Sequence, residues 1–247
     1  MRREPLGLAF AMTLAVSCSS SVDTVPPRTL EQLVDTKEPG MALVREWLGS
    51  AKNTVELLDV DPSAGRRTLL ALQVTSRSPM GAIALESGGL LIDDGWVRVL
   101  GSGHPRLPRA LDTWNRLAES APRLPGALLV GDDVLGGFYA LNGGGLPGPV
   151  GHVSYFAPDR LQWEDVAASY SEWLAFLLQG DLERFYGDDR WSSWRADVRP
   201  MPGDRGWSIY PFLFTKGPPV AERARRPVPL EELWELHVVD LPKQIGR

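Results

Sequence analysis

The sequence predicts a single α+β domain, mainly antiparallel sheet with helices packed on it. Three observations carry that expectation. Short runs of strand-like residues are joined by tight turns, of which Asp93-Asp94-Gly95 is the clearest, because Asp-Gly accepts the positive φ angles a tight hairpin demands. Between such runs lie segments with apolar residues at helical spacing, such as Met41, Val44, Trp47 and Leu48. The 247-residue chain shows no internal repeat and no second linker, so one large domain accounts for it.

The elements follow in order. Thr29-Leu30-Glu31-Gln32 is a capping box that opens a short helix to about Asp35. Pro39-Gly40 breaks it, and residues 41–50 form an amphipathic helix. Residues 55–60 alternate as a first strand, Asp61-Pro62-Ser63 is a turn, and residues 66–74 are a second amphipathic helix. Gly88-Gly89 leads into a strand at 90–92, the Asp-Asp-Gly turn reverses it, and Trp96, Val97, Val99 and Leu100 return. Residues 101–105 are a loop and 111–117 a brief helix. The apolar run 128–130 and the run 134–141 read as two strands, with Asp132 and Asp133 at an acidic, glycine-relieved corner between them. Residues 152–156 are a strand and Ala157-Pro158-Asp159 a turn. Residues 163–179 then read as the longest helix, stopped by Gly180, with Asp181 capping a continuation. The tail is aromatic and irregular, and Pro229 starts a final helix over 229–236.

Composition narrows the function classes. Hydrophobic content of 43% and charged content of 23% are those of a soluble globular protein. A domain of this size buries roughly 70–75% of the surface its unfolded chain exposes. Its core therefore needs no disulfide. A net charge of −5 and a pI near 5.3 argue against a nucleic-acid groove, which needs a basic stripe. The basic run 223–226 lies beside Glu222, Glu231 and Glu232 and reads as a solvated face. His104, His152 and His237 stand apart, with no zinc spacing and no cysteine partner. No P-loop, dinucleotide fingerprint or nucleophile elbow is present. No cofactor or metal is expected.

The N-terminus carries its own signal. Arg2 and Arg3 precede an apolar run over residues 6–16, about half of what a membrane span needs and the size of a signal-peptide core. Ala15-Val16-Ser17-Cys18 follows and resembles the lipobox of bacterial lipoproteins, in which the cysteine sulfur is lipidated. Ala15 stands where leucine is favoured, and Glu4 dilutes the positive region. Cys18 is the chain's sole cysteine, so nothing competes for it. The expected division is a signal peptide over 1–17, a lipidated cysteine and tether over 18–28, and one domain over 29–247. The expected location is the bacterial cell envelope, with Ser19 and Ser20 favouring the outer membrane by analogy with known lipoproteins.

Paired acids occur at Asp93-Asp94, Asp132-Asp133 and Asp188-Asp189. Adjacent residues on a strand point to opposite faces, so a pair can serve one cleft only from a turn. Asp132 and Asp133 are the leading candidates for recognition, and Asp93, Trp96 and Asn142 join them.

Four stretches, SPMGAIALESGGLLIDDGWVRVLGSG, LLVGDDVLGGFYALNGG, YFAPDRLQWEDVAASYSEWLAFLLQGDLERFY and YPFLFTKGPP, together resemble a bacterial family known as domain of unknown function 2625, from about Arg28 to Leu236. That resemblance transfers no activity and no catalytic residue. The order of Gly88-Gly89, the acidic strand pair at 132–141, the strand at 153–156 and the helix at 169–178 is also similar to the SUKH superfamily. Members are α+β binding modules, and many bacterial ones act as immunity proteins. Three readings follow. The first is a non-enzymatic protein-binding module held to the membrane by a lipid on Cys18. The alternatives are an envelope hydrolase using Asp132 or Asp133, and a structural lipoprotein.

Overall fold

Runs of strand-forming residues separated by tight turns produce a meander. The computed structural model describes residues 26–244 and Gly246. Cys18, with the segment proposed as its signal, lies outside the described residues. Seven strands cross one sheet in chain order: β1 (Val55–Leu58), β2 (Gly89–Ile92), β3 (Val97–Leu100), β4 (Ala127–Asp133), β5 (Phe138–Asn142), β6 (Val153–Ala157) and β7 (Gln162–Ala167). Every neighbouring pair is antiparallel. A second sheet of two strands, β8 (Arg205–Tyr210) and β9 (Ala224–Pro229), is tied to the first where Trp207 N–H donates to the Val134 carbonyl at 2.6 Å. The whole is one α+β domain.

The β2–β3 hairpin turns as its sequence requires. Asp93, Asp94 and Gly95 have φ of 52°, 59° and 88°, the left-handed backbone that Asp and Gly tolerate best.

The helices before the sheet's centre are α1 (Leu30–Leu33), α2 (Gly40–Gly49), α3 (Pro62–Leu72), α4 (Pro79–Glu86) and α5 (Leu111–Trp114). After β7 come α6 (Tyr170–Gln179), α7 (Leu182–Tyr186), α8 (Trp194–Val198) and α9 (Leu230–Trp234), and a π-type turn over Glu235–Asp240 leads into α10 (Leu241–Gln244). Local chemistry starts most of these. In α1 the Gln32 side chain accepts from the Thr29 N–H at 2.9 Å, the reciprocal half of a capping box. Asp61 caps α3 by accepting from Ser63 N–H at 2.8 Å, with Pro62 in the first turn.

Both faces of the sheet are covered. Adjacent residues of β5 point opposite ways: Tyr139 meets Trp173 of α6 with ring centroids 5.2 Å apart, and Phe138 meets Trp234 of α9 at 5.0 Å. Gly131 of β4 lies under Trp173, where an added Cβ would sit 3.0 Å from the ring. The indole rests directly on the strand backbone.

Several expectations are corrected. The helix expected over 163–179 is two elements. Residues 162–167 pair with β6 as β7, and α6 begins only at Tyr170, where Ser169 Oγ accepts from Glu172 N–H at 3.1 Å. The helical spacing of Val166 and Ala167 with Tyr170 is coincidental; the cap is the true signal. Asp61-Pro62-Ser63 is the start of α3, not a free turn. A further helix, α4, starts at Ser78-Pro79, where Ser78 Oγ accepts from Gly81 N–H at 3.1 Å. The tail is ordered into α8, β8 and β9. The basic run is more than a solvated face: Arg223 donates to the carbonyls of Phe212 at 2.7 Å, Pro218 at 2.8 Å and Pro211 at 3.0 Å, and Arg225 lies over Trp191. Among the described residues no helix is long and apolar enough to cross a membrane.

Cap and core make separable contributions. Ser169→Ala is expected to cost about 1 kcal/mol and Trp173→Ala about 3–5 kcal/mol, read by urea unfolding. Equal losses from the two would contradict this placement of α6.

Candidate functional site

Asp132 and Asp133 close β4, and a strand sends neighbouring side chains to opposite faces. Both are 0% exposed. The expected acidic corner is therefore corrected: the turn lies at 134–137, after the acids, where Gly136 takes a φ of 79°. The two carboxylates lead separate networks.

On the first face, Asp132 stands directly across the ladder from Arg98 of β3. Arg98 Nε is 2.6 Å from Asp132 Oδ1, and its other nitrogens donate to the carbonyls of Asp133 at 2.8 Å and Arg205 at 2.5 Å. Arg109, from the loop before α5, forks onto the same carboxylate at 2.6 and 3.1 Å. It also donates to the Gly203 carbonyl at 2.7 and 3.1 Å, and its guanidinium lies 4.8 Å from the Trp114 ring centre. Burial pushes the Arg109 guanidinium below its usual value, and the Asp132 charge opposes this. One carboxylate thus joins two buried cations and, through them, the loop at 203 and strand β8.

On the second face, Asp133 Oδ1 accepts from the N–H groups of Leu135 at 2.8 Å and Gly137 at 2.9 Å, shaping the turn. Oδ2 accepts from Tyr155 OH at 2.6 Å and from Tyr186 OH at 3.3 Å. Tyr139 OH lies 2.6 Å from Tyr186 OH and completes the chain of donors. Burial first raises the Asp133 carboxyl above the ordinary value, and the Tyr155 hydroxyl and the two N–H groups pull it back. Burial also raises all three phenols, so each stays protonated as a donor. Gly137 is indispensable here, because an added Cβ would come within 2.2 Å of Tyr155 OH.

The other expected residues are committed inward as well. Asp93 is buried and receives Arg190 at 2.5 Å. Trp96 is buried against Trp194, with centroids 5.0 Å apart, and under the Arg190 guanidinium at 4.9 Å. Asn142 is buried and pins the glycine loop, donating to the carbonyls of Leu146 at 3.1 Å, Gly148 at 3.1 Å and Pro149 at 3.2 Å. The structure does not bring the five together at one surface. Cys18 lies outside the described residues.

What opens to solvent is a cleft of about 180 Å³ between β7 and the segment after α7, floored by Tyr155 and Tyr186. Val166 and Phe185, 38% and 39% exposed, line it together with Asp159, Glu164 and Asp189. Arg160 pairs with Glu164 at 2.9 Å. Asp189 has no hydrogen-bond partner among the described residues. Burial, followed by the charges of Asp133, Asp159 and Asp188, raises its carboxyl to about 7. The second network thus forms the back wall of this cleft. Among the described residues no group of histidines, cysteines and acids is arranged to hold a metal ion.

Sequence reasoning missed Arg98, Arg109, the three tyrosines and Asp189. Arg98 did carry a signal: a charge inside the apolar run Val97, Val99, Leu100 calls for a buried partner on the next strand. The tyrosines carried none, because three separate segments bring them together.

The comparisons with known proteins agree with one another. The family model described as "Protein of unknown function DUF2625" matches residues 30–233, from α1 into α9, and so takes in both networks and the cleft. The uncharacterized protein YbfG of Escherichia coli strain K12 is 44% identical over 209 residues, covering 85% of this chain and 95% of its own. An uncharacterized protein of Haemophilus influenzae is 40% identical over 189 residues, covering 75% of this chain and 82% of its own. No solved structure matches the chain.

Removing Asp132 strands two buried guanidinium groups, so Asp132→Ala is expected to cost about 3–5 kcal/mol in denaturant unfolding. Asp189 behaves in the opposite sense. Its folded value near 7 exceeds the ordinary carboxyl value of 3.8, so the folded state holds the extra proton between these limits and stability drains as pH rises from 3.8 to about 7. Asp189→Asn should therefore stabilise the protein at pH 8, by about 1–2 kcal/mol after allowance for solvent screening, and leave it unchanged near pH 3.5. A pH-independent difference between the two proteins would refute the assignment.

Proposed function

The chain belongs to the DUF2625 family, and from that premise we propose that it is a non-enzymatic protein-binding module carried on the bacterial cell envelope by a lipid on Cys18. The observation that carries the reading is the contrast between its acids. Asp132 and Asp133 spend their oxygens on internal donors, whereas Asp189 faces the cleft with none. A carboxylate that shares its cleft with Asp159 and Glu164 and with two exposed apolar side chains suits a lysine or arginine, whose aliphatic stem covers Val166 and Phe185 while its charge meets Asp189. A basic side chain at a polar-rimmed, aromatic-floored cleft is a familiar anchor of protein interfaces.

A hydrolase would require Asp132 or Asp133 to exchange protons with a substrate from solvent. Arg98 and Arg109 occupy Asp132, and the Tyr155 hydroxyl closes the approach to Asp133. This supports binding over turnover. The SUKH-like order of elements points the same way. The anchor reading is consistent with a tether that enters the domain at Arg28, whose N–H donates to Gln73 Oε1 at 2.7 Å. One acyl chain binds a bilayer marginally and two or more hold it stably.

Two experiments bear on the two halves of the proposal. Cys18→Ala in the full chain should shift the protein from the membrane to the soluble fraction; continued membrane fractionation would remove the lipid anchor. Envelope proteins cross-linked to the detergent-solubilised chain should be displaced by a lysine-rich peptide and lost with Asp189→Arg. Capture indifferent to both would remove the cleft from the reading.

A further inference from the structure

We propose that β7 accepts an extended, lysine- or arginine-bearing segment of a protein partner as an eighth strand, with one cationic side chain set into the Asp189 cleft. This rests on the binding-module reading and specifies the form its partner takes.

The first argument is the backbone. A strand at a sheet's end presents half of its N–H and C=O groups outward. β7 ends the seven-stranded order. Among the described residues its backbone groups hydrogen-bond to β6 and to no other element. The register with β6 is regular from Ala157↔Gln162 to Ser154↔Asp165. Only beyond that does it shift between Val153 and Ser154, leaving Val166 as the extra residue. A bulge confined to one end re-aims a side chain and ends the pairing there. Here the re-aimed residue is Val166, which lines the cleft. Residues 162–165 remain a template for about four residues of incoming strand.

The second argument is charge. Around this edge stand Asp159, Glu164, Asp165, Asp188 and Asp189, against Arg160, Arg223, whose charge pulls the Asp189 carboxyl down, and His152, which pairs with Asp165 at 2.9 Å. Like charges opposed across a ladder are destabilising and opposite charges stabilising. A second copy laid on β7 would set Glu164 and Asp165 against themselves. A basic strand meets complementary charge instead. The sheet's other end does not offer this: along β1 a larger cleft of about 340 Å³ is lined by Glu56 and Asp94, each already paired with Arg106 and Arg199. That end is neutral and selects no partner charge.

Side chains of an added strand would alternate, so every second residue would face the Val166–Phe185 side and one lysine would reach Asp189.

The test uses the full chain in detergent and two synthetic hexapeptides of alternating lysine and valine, one plain and one N-methylated at every residue. Methylation keeps the charge and removes the ladder donors. The plain peptide should bind about tenfold more tightly or better, as expected for two or three lost hydrogen bonds, and should slow hydrogen exchange at outward amides among residues 162–165. Equal binding of the two peptides, lost in Asp189→Arg, would overturn strand addition and leave the cleft reading standing. Binding of neither peptide, or their exchange protection at residues elsewhere, would also overturn it. So would protection of residues 162–165 in the protein alone at rising concentration, which would assign the edge to a second copy. Should the plain peptide bind as expected while no envelope protein is captured, the edge would stand and the proposed cellular role would fall.

Discussion

The ion cluster of Arg98, Asp132 and Arg109 holds this structure in register. Three charges removed from water carry a large desolvation cost, offset only if each finds its partner in good geometry. Here Arg109 forks onto the Asp132 carboxylate with two hydrogen bonds, and Arg98 Nε lies 2.6 Å from its other side as an ion pair. The spare donors then reach out to the carbonyls of Asp133, Gly203 and Arg205. A misregistered β3–β4 pair would leave Arg98 without Asp132, so the cluster discriminates against alternatives more than it adds to net stability. It also ties the second sheet to the first, since Arg205 opens β8.

Behind the same strand, Asp133 organises what lies toward solvent. Its oxygens shape the β4–β5 turn and gather three tyrosines from β5, β6 and α7. Two of those rings, Tyr155 and Tyr186, make the floor of a cleft where exposed apolar side chains meet Asp189. Two adjacent aspartates expected to form one acidic corner thus hold two separate internal networks. The aspartate that faces a cleft is a third one, more than fifty residues further along the chain.

Much of the fold was legible because its signals are local. The Asp93-Asp94-Gly95 hairpin, the capping box at Thr29 and the stops at Gly180 and Asp181 depend on residues within a turn of each other. The reading failed where two local signals competed. Over 163–179 the helical spacing of apolar residues ran through a strand, and only the ladder with β6 decided that the first five residues extend. In the tail, β8 and β9 are separated by a loop of more than a dozen residues, so neither strand identifies its partner.

The sequence by itself determined the class of the molecule, the order of most elements and its family, since these follow from composition, turn chemistry and contiguous blocks of residues. It also singled out Asp132 and Asp133 as unusual, because paired acids in an apolar run demand an explanation. Which way those acids point was decided only by the tertiary structure. Solvent exposure is a property of the packed whole: Arg98, Arg109 and Tyr155 come from other segments, and their arrival turned a prospective surface into a core. The same closure left Asp189 at the rim, where the charges of Asp133, Asp159 and Asp188 outweigh that of Arg223, a position no spacing along the chain encodes.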